Sequence, residues 1–166
     1  MSSDDVHEPR LSRSFSRDGL PKSIPPLWFF IAIAVQVSSH RFVPVGRDLA
    51  VPWNWTGALF VVLGIAFAVA ANRQFMRAGT PVRPFEPMTA IVTGGIFAYT
   101  RNPMYLGMTA VLAGIALLLG SLAPLVVVPL FVLFITFGFI RHEERVMEEA
   151  FGDEYVSYKR RVRRWL

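Results

Sequence analysis

The stretch MYLGMTAVLAGIALLLGSLAPLVVVPLFVLFITFGFI, Met104–Ile140, holds no Asp, Glu, Lys or Arg. Near its middle stands Gly120-Ser121-Leu122-Ala123-Pro124, too short a link to be anything but a tight turn between antiparallel helices. On either side, Met104–Leu119 and Leu122–Ile140 approach or reach the ~17–25 apolar residues a helix needs to cross ~30 Å of hydrocarbon. An uncharged run of this length, split by one turn, reads as a helical hairpin in a bilayer. Gly107 and Gly114, with Ala110 and Ala113, give the first helix of the hairpin a small-residue face for close packing. Pro129 lies inside the second and is expected to kink it, which is tolerated where neighbouring groups satisfy the freed carbonyl.

Working outward, two further apolar blocks precede the hairpin, Leu27–Val37 and Thr56–Ala71, and the charge lies between blocks. The hydrophobic fraction of 53% and mean hydropathy of +0.42 exceed the ~45–50% apolar content of ordinary soluble domains. Leu27–Val37 is short by itself. It becomes long enough to span only with Ile24–Pro26 and Ser38–Val45, which contains His40 and Arg41; the alternative is a half-buried interfacial helix. A signal peptide is disfavoured, because the leader carries Asp4, Asp5, Glu8 and Asp18 and no A-x-A-like site follows the run. Pro52, Trp53 and Trp55 suit the outer interface of the Thr56 block, where aromatic rings anchor.

The expected fold is therefore an all-α integral membrane protein with about four transmembrane helices, including a helical hairpin and a C-terminal amphipathic interfacial helix. Residues 1–23, rich in Ser, Arg and Asp, read as a disordered cytosolic tail, and 24–166 as one membrane-embedded domain. The amphipathic helix comes from Val146, Met147, Ala150, Phe151, Tyr155, Tyr158, Val162 and Trp165, whose spacings are helical, with a break near Gly152. With no cysteine there is no disulfide, thiolate nucleophile or cysteine metal site. His142 has His7 and His40 only at remote positions, so no metal centre is expected.

The net charge of +5 invites a nucleic-acid reading, but its distribution argues for topology. With four spans, residues 1–26, 72–102 and 141–166 share one side and hold fifteen of the seventeen basic residues, leaving Arg41 and Arg47 opposite. That asymmetry predicts a multi-pass protein with both termini inside, as in a bacterial inner membrane or its equivalent. The cluster Lys159-Arg160-Arg161-Val162-Arg163-Arg164 would also be drawn to anionic headgroups. No nucleic acid is needed to explain the charge.

Two constellations carry chemistry. In Tyr99-Thr100-Arg101-Asn102-Pro103-Met104-Tyr105-Leu106-Gly107, Asn102 and Pro103 are expected to start a helix as N-cap and N1. Arg101 stands just outside that positive helix end, so it either holds a ligand carboxylate or phosphate or touches lipid phosphate. The second is Arg141-His142-Glu143-Glu144-Arg145, which antiparallel packing brings beside the first. Adjacent carboxylates at a membrane boundary either pair with Arg101, Arg141 or Arg145 as structure or bind cationic and hydroxyl groups of a ligand.

Together with Ala78-Gly79-Thr80-Pro81-Val82-Arg83-Pro84-Phe85, Val92-Thr93, Gly95, Phe97, Phe151-Gly152, Tyr155, Tyr158 and Arg164-Trp165, these motifs resemble the isoprenylcysteine carboxyl methyltransferase and phospholipid methyltransferase family of integral membrane enzymes. The resemblance covers the C-terminal half to two-thirds of the chain. Asn102 stands where the family's R-H-P-x-Y-x-G core has His, so a role for that imidazole does not carry over. The resemblance implies S-adenosylmethionine as cofactor and a membrane lipid, or another hydrophobic small molecule, as methyl acceptor at the cytosolic face. It implies Arg101 and Glu144 as the central residues. Arg101 and the Pro103 helix start suit the cofactor carboxylate, Glu143 or Glu144 the ribose hydroxyls or ammonium, and the Gly95 and Tyr105-Leu106-Gly107 backbone the adenosyl part. A similar C-terminal pattern occurs in NADPH-dependent membrane sterol reductases, the alternative enzyme class, though a chain of this size is expected to be too small for their larger helical body. A non-enzymatic small exporter or structural membrane protein is the other alternative, but ion-coupled export needs an acidic residue within a span, and the apolar blocks hold none. The identity of the acceptor and the oligomeric state are left open by the residues.

Overall fold

The computed structural model describes residues 24–43, 45, 53–79 and 91–166, and among these every regular element is helical. The expected tail, 1–23, lies outside the described residues, as does Pro52. In chain order the elements are α1 (Pro25–Phe42), a 3-10 turn (Trp53–Trp55) leading into α2 (Thr56–Arg77), a second 3-10 turn (Gly95–Ala98), α3 (Pro103–Leu119), α4 (Leu122–Ile135), a π turn (Thr136–Ile140), α5 (Arg141–Phe151) and α6 (Asp153–Arg161).

Among the described residues two helices are long and apolar enough to cross a membrane: α2, and the unbroken 30-residue helix Leu122–Phe151 that runs from α4 through the π turn into α5. At 1.5 Å per residue the latter is about 45 Å long. Its apolar part ends at Ile140, so α5 projects beyond a ~30 Å hydrocarbon layer. The outer faces of both helices are apolar: Leu59, Val62 and Ile65 of α2, and Val126, Leu130, Leu133 and Phe137 further on, are all exposed. In water so large an apolar surface would be a liability, whereas in lipid it is the favoured partner.

α2 and α3 are antiparallel and touch along glycines. Gly57 lies against the Gly114 carbonyl and Gly64 against that of Gly107, so each pair lets the two backbones meet. The small-residue face foreseen on α3 therefore serves α2, and its complement is the equally spaced Gly57 and Gly64. Between α3 and α4, Gly120 takes the left-handed conformation at φ 66°. The buried Ser121 follows, its hydroxyl paired with His40 Nδ1 at 2.9 Å.

α1 is built into the bundle. It continues through Ser38–Arg41 to Phe42, beyond the apolar run that ends at Val37. Trp28 packs at a tilt against Phe134, ring centroids 4.6 Å apart, and Phe29 edge-on against Phe131 at 6.5 Å. Gln36, fully buried, donates from Nε2 to the carbonyls of Leu112 (3.0 Å) and Pro124 (3.2 Å), fastening α1 to both arms of the hairpin. Low-dielectric surroundings strengthen such bonds and make their loss costly.

Beyond α5 the chain reverses at Gly152, φ 53° and ψ −128°, a conformation that favours glycine. The apolar face of α6 is not open to a surface. Tyr155, Tyr158 and Val162 are buried with Ile91, Met147 and Phe151 around them, and the Tyr158 hydroxyl donates to the Phe97 carbonyl at 2.7 Å. The segment after α6 thereby folds back over the start of α3.

Candidate functional site

The α3 start and the α4–α5 exit meet at one end of the bundle, joined by the C-terminal segment that carries Arg164. Glu144, 6% exposed, receives Arg164 in a two-pronged arrangement, Nε to Oε1 at 2.9 Å and Nη2 to Oε2 at 2.6 Å. Arg101 approaches the same carboxylate from α3's side, Nη1 to Oε1 at 3.2 Å. Neither Arg141 nor Arg145 takes part among the described ion pairs. Geometry of the Arg164 kind is the strongest a carboxylate makes with a side chain.

The backbone reinforces this junction. The Arg101 N–H donates to the Arg163 carbonyl at 3.0 Å. Thr100 Oγ1 (3.2 Å) and Asn102 Nδ2 (3.0 Å) both donate to the Arg164 carbonyl. Asn102 occupies the N-cap position of α3, as expected, but its side chain does not cap the helix. Its amide is committed to Arg164, and Thr100 Oγ1 accepts the Asn102 N–H instead, at 3.2 Å.

Electrostatics separate the two adjacent carboxyls. Burial raises the Glu144 carboxyl, but the Arg164 hydrogen bond and the charges of Arg101, Arg164 and Lys159 outweigh it and hold it below the usual range. Glu143 is in none of the described ion pairs. Tyr105 donates its hydroxyl to Glu143 Oε1 at 2.7 Å. Burial, joined by the Glu144 charge and only partly offset by the Tyr105 bond, pushes the Glu143 carboxyl up. Beside them, burial and the Glu144 charge push Tyr155 up to about 12 against the opposing effect of Arg101.

Arg101 is the least satisfied group in this cluster. Its side chain is 9% exposed, and beyond the Glu144 ion pair its buried Nε and Nη1 have no hydrogen-bond acceptor among the described residues. A buried donor without a well-aligned acceptor is costly even where its charge is paired, and an anion bearing oxygens would complement it.

The structure thus groups Arg101, Tyr105, Glu143 and Glu144, with Arg164 and Tyr155 added. Pro103 is buried and begins α3, while Leu106 is half-buried and donates its N–H to the Asn102 carbonyl at 2.9 Å. Gly107 and Gly95 face elsewhere. The side of Gly107 that lacks a side chain is filled by the Gly64 carbonyl of α2. Gly95, at φ 58°, abuts the Gln74 side chain, and a Cβ there would overlap Gln74 Nε2. The missing side chains at these two positions make room for α2. Arg164 could be found in the sequence only through its place beside Trp165 in the family pattern, because its link to Glu144 depends on the reversal at Gly152.

The model of the family described as phospholipid methyltransferase matches residues 53–154. An uncharacterised protein of Haemophilus influenzae (strain ATCC 51907 / DSM 11121 / KW20 / Rd) is 43% identical over 63 residues, which are 38% of this chain and the whole of that protein. No solved structure matches the chain.

Proposed function

The chain belongs to the phospholipid methyltransferase family, and from that premise we propose that it transfers a methyl group from S-adenosylmethionine to the amine of a lipid or lipid-like acceptor at the cytosolic face of a membrane. The observation that carries the cofactor assignment is the pair of buried Arg101 donors, Nε and Nη1, which have no hydrogen-bond acceptor among the described residues beyond the Glu144 ion pair. A ligand carboxylate placed there removes the cost of leaving them unpaired. Glu143, bonded to Tyr105 and in none of the described ion pairs, suits a cationic group. Bound at this site, the cofactor supplies a methyl group activated by an adjacent sulfonium. The chain then needs no nucleophile of its own. Its residues hold and align the reactants and keep bulk water away, which is where most of the rate comes from in such a reaction.

The two carboxyls divide the remaining work. Glu144, neutralised by two guanidinium groups, fixes Arg101. Glu143 serves as base: it takes the N–H proton of the acceptor ammonium and frees the nitrogen lone pair. That lone pair would displace the methyl group from the sulfonium of bound S-adenosylmethionine, the electrons of the broken bond staying on sulfur. Neighbouring titratable groups whose surroundings push them in opposite directions are the usual sign of such a division. Purified protein should bind S-adenosylmethionine saturably by calorimetry, and Arg101→Ala should weaken that binding at least about tenfold, the loss of one charged contact. Glu143→Gln should still bind but transfer no label from methyl-labelled cofactor to a membrane lipid extract. Absence of saturable binding to the wild-type chain overturns the cofactor reading, and an unimpaired Glu143→Gln protein overturns the base.

The same reading places four spans across the membrane, α1 and α3 included, with both termini inside. α1 and α3, at 18 and 17 residues, are about 26 Å long, close to the hydrocarbon thickness. The basic residues of 1–26, 72–102 and 141–166 support that orientation. Because the chain has no cysteine, single substitutions give clean reporters. Arg47→Cys should react with an impermeant maleimide from outside intact cells, and Arg160→Cys only after lysis. The reverse pattern would refute the orientation.

A further inference from the structure

We infer that the segment Arg160–Arg164 docks on the anionic headgroups of the surrounding leaflet, and that this docking holds the Glu144–Arg101–Arg164 junction closed. α6 ends at Arg161, and the chain leaves it through Val162, at φ −119° and ψ 133°, and a bend at Arg164. Val162 is buried and Arg164 turns inward to Glu144, while Arg163, and Arg160 and Arg161 at the end of α6, are exposed. One short segment therefore has two faces with different duties. The inner face supplies the Arg164 guanidinium and the Arg163 and Arg164 carbonyls that hold Thr100, Arg101 and Asn102. The outer face presents three guanidinium groups, none of them paired among the described ion pairs.

Charge complementarity selects the partner. Lys159 is taken by Glu148 and Arg164 by Glu144, so the exposed positive charge of 159–164 rests on Arg160, Arg161 and Arg163. The exposed acids of the same helix, Asp153 and Glu154, are at its other end, about 9–12 Å away, roughly a Debye length at physiological salt. The segment also sits at the end of the bundle where Leu122–Phe151 turns from apolar to charged at Arg141, which is the level of lipid phosphates in the membrane reading. A basic cluster at that level is attracted to anionic lipid. Because the two faces belong to one backbone, whatever holds the outer face also favours the closed inner face, and a ligand that favours closure would reciprocally strengthen lipid contact. The inference rests on the membrane reading and is independent of methyl transfer.

The test uses the full chain in nanodiscs of phosphatidylcholine alone or with 30% phosphatidylglycerol, followed by hydrogen exchange at residues 97–102 and 160–166 without cofactor or acceptor. Anionic lipid should slow exchange in both segments about tenfold. The effect should vanish in Arg160→Gln/Arg161→Gln/Arg163→Gln, which leaves every backbone contact in place, and in 1 M salt. Equal exchange in the two nanodiscs, or protection that survives the triple substitution, would overturn the proposal. Inorganic phosphate added to the phosphatidylcholine nanodiscs should not protect; if it did, the site would be one for free anions and the lipid assignment would fall. Failure of methyl transfer leaves this readout untouched, so the two conclusions can fail separately.

Discussion

Replacing Glu144 by alanine is expected to destabilise the protein by on the order of 3 kcal/mol and to abolish cofactor binding, because it leaves two guanidinium groups facing each other without their shared anion. Removing one partner of a buried ion pair costs ~3–5 kcal/mol, since the remaining charge is left without compensation. The lower end applies here. Arg101, at 9% exposure, has no route to water, but Arg164, at 32%, can turn outward. For a domain of this size the loss corresponds to roughly 6–12 °C in melting temperature, measurable on detergent-solubilised protein. Glu148→Ala is the informative contrast. It removes an ion pair with Lys159 in which both side chains are about one-third exposed, and such pairs contribute at most ~1 kcal/mol. The pH dependence has a definite sign. Glu144 is held below its ordinary range in the folded protein, so its contribution is fully present above the unfolded carboxyl value and is lost as pH falls through the lowered folded value. Wild type should therefore lose stability in that acid interval, and the alanine variant should show a flatter acid limb. Equal melting of Glu144→Ala and Glu148→Ala would show that the junction does not hold the fold.

The features legible in the sequence were those set by local chemistry. Pro103 starts α3, Gly120 ends it, and Gly152 breaks the final helix, each because backbone conformation there is decided by the residue itself. The proximity of Arg101 to Glu144 followed from the antiparallel sense of α3 and α4, which a five-residue turn leaves no freedom to change. What could not be read depends on partners distant in the chain. Arg164 reaches Glu144 only because Gly152 turns α6 back. Asn102 gives up capping because the Arg164 carbonyl lies within reach of its amide. Gln36 looks like a polar interruption of an uncertain span, and becomes a fastener once carbonyls of α3 and α4 converge on it. The glycines of α3 announced a close neighbour without naming it. Gly57 and Gly64, seven residues apart, repeat the spacing of Gly107 and Gly114, and pairing the two sets would have pointed to α2.

That seam carries the second large effect: Gly64→Val should prevent α2 and α3 from packing and take the site down with them. A Cβ on Gly64 would lie 2.5 Å from the Gly107 carbonyl oxygen, and one on Gly107 would lie 2.6 Å from that of Gly64. One level further along, the same holds for Gly57 and Gly114, at 2.4 and 2.5 Å. Contacts below 3.0 Å require something to move, and the obstacle is helix backbone, which has no rotamer to change. Overpacking of this kind costs ~1–3 kcal/mol where side chains can adjust, and it should exceed that range here, since whole helices must separate. In a bilayer this matters more than in water, because helix association depends on close backbone approach rather than on burial from solvent. The damage should reach the site by a definite route. Further along α2, Phe75 packs against Phe97 at 4.9 Å and Gln74 against Gly95, and the turn they support leads directly to Thr100 and Arg101. Displacing α2 therefore displaces the segment that carries Arg101 and should weaken cofactor binding even in protein that remains folded. Gly138→Ala supplies the control, as a Cβ at that position meets nothing within 4 Å and should leave melting and binding unchanged. If Gly64→Val behaved like Gly138→Ala, the close approach of α2 and α3 would not be what holds the Arg101 segment in place.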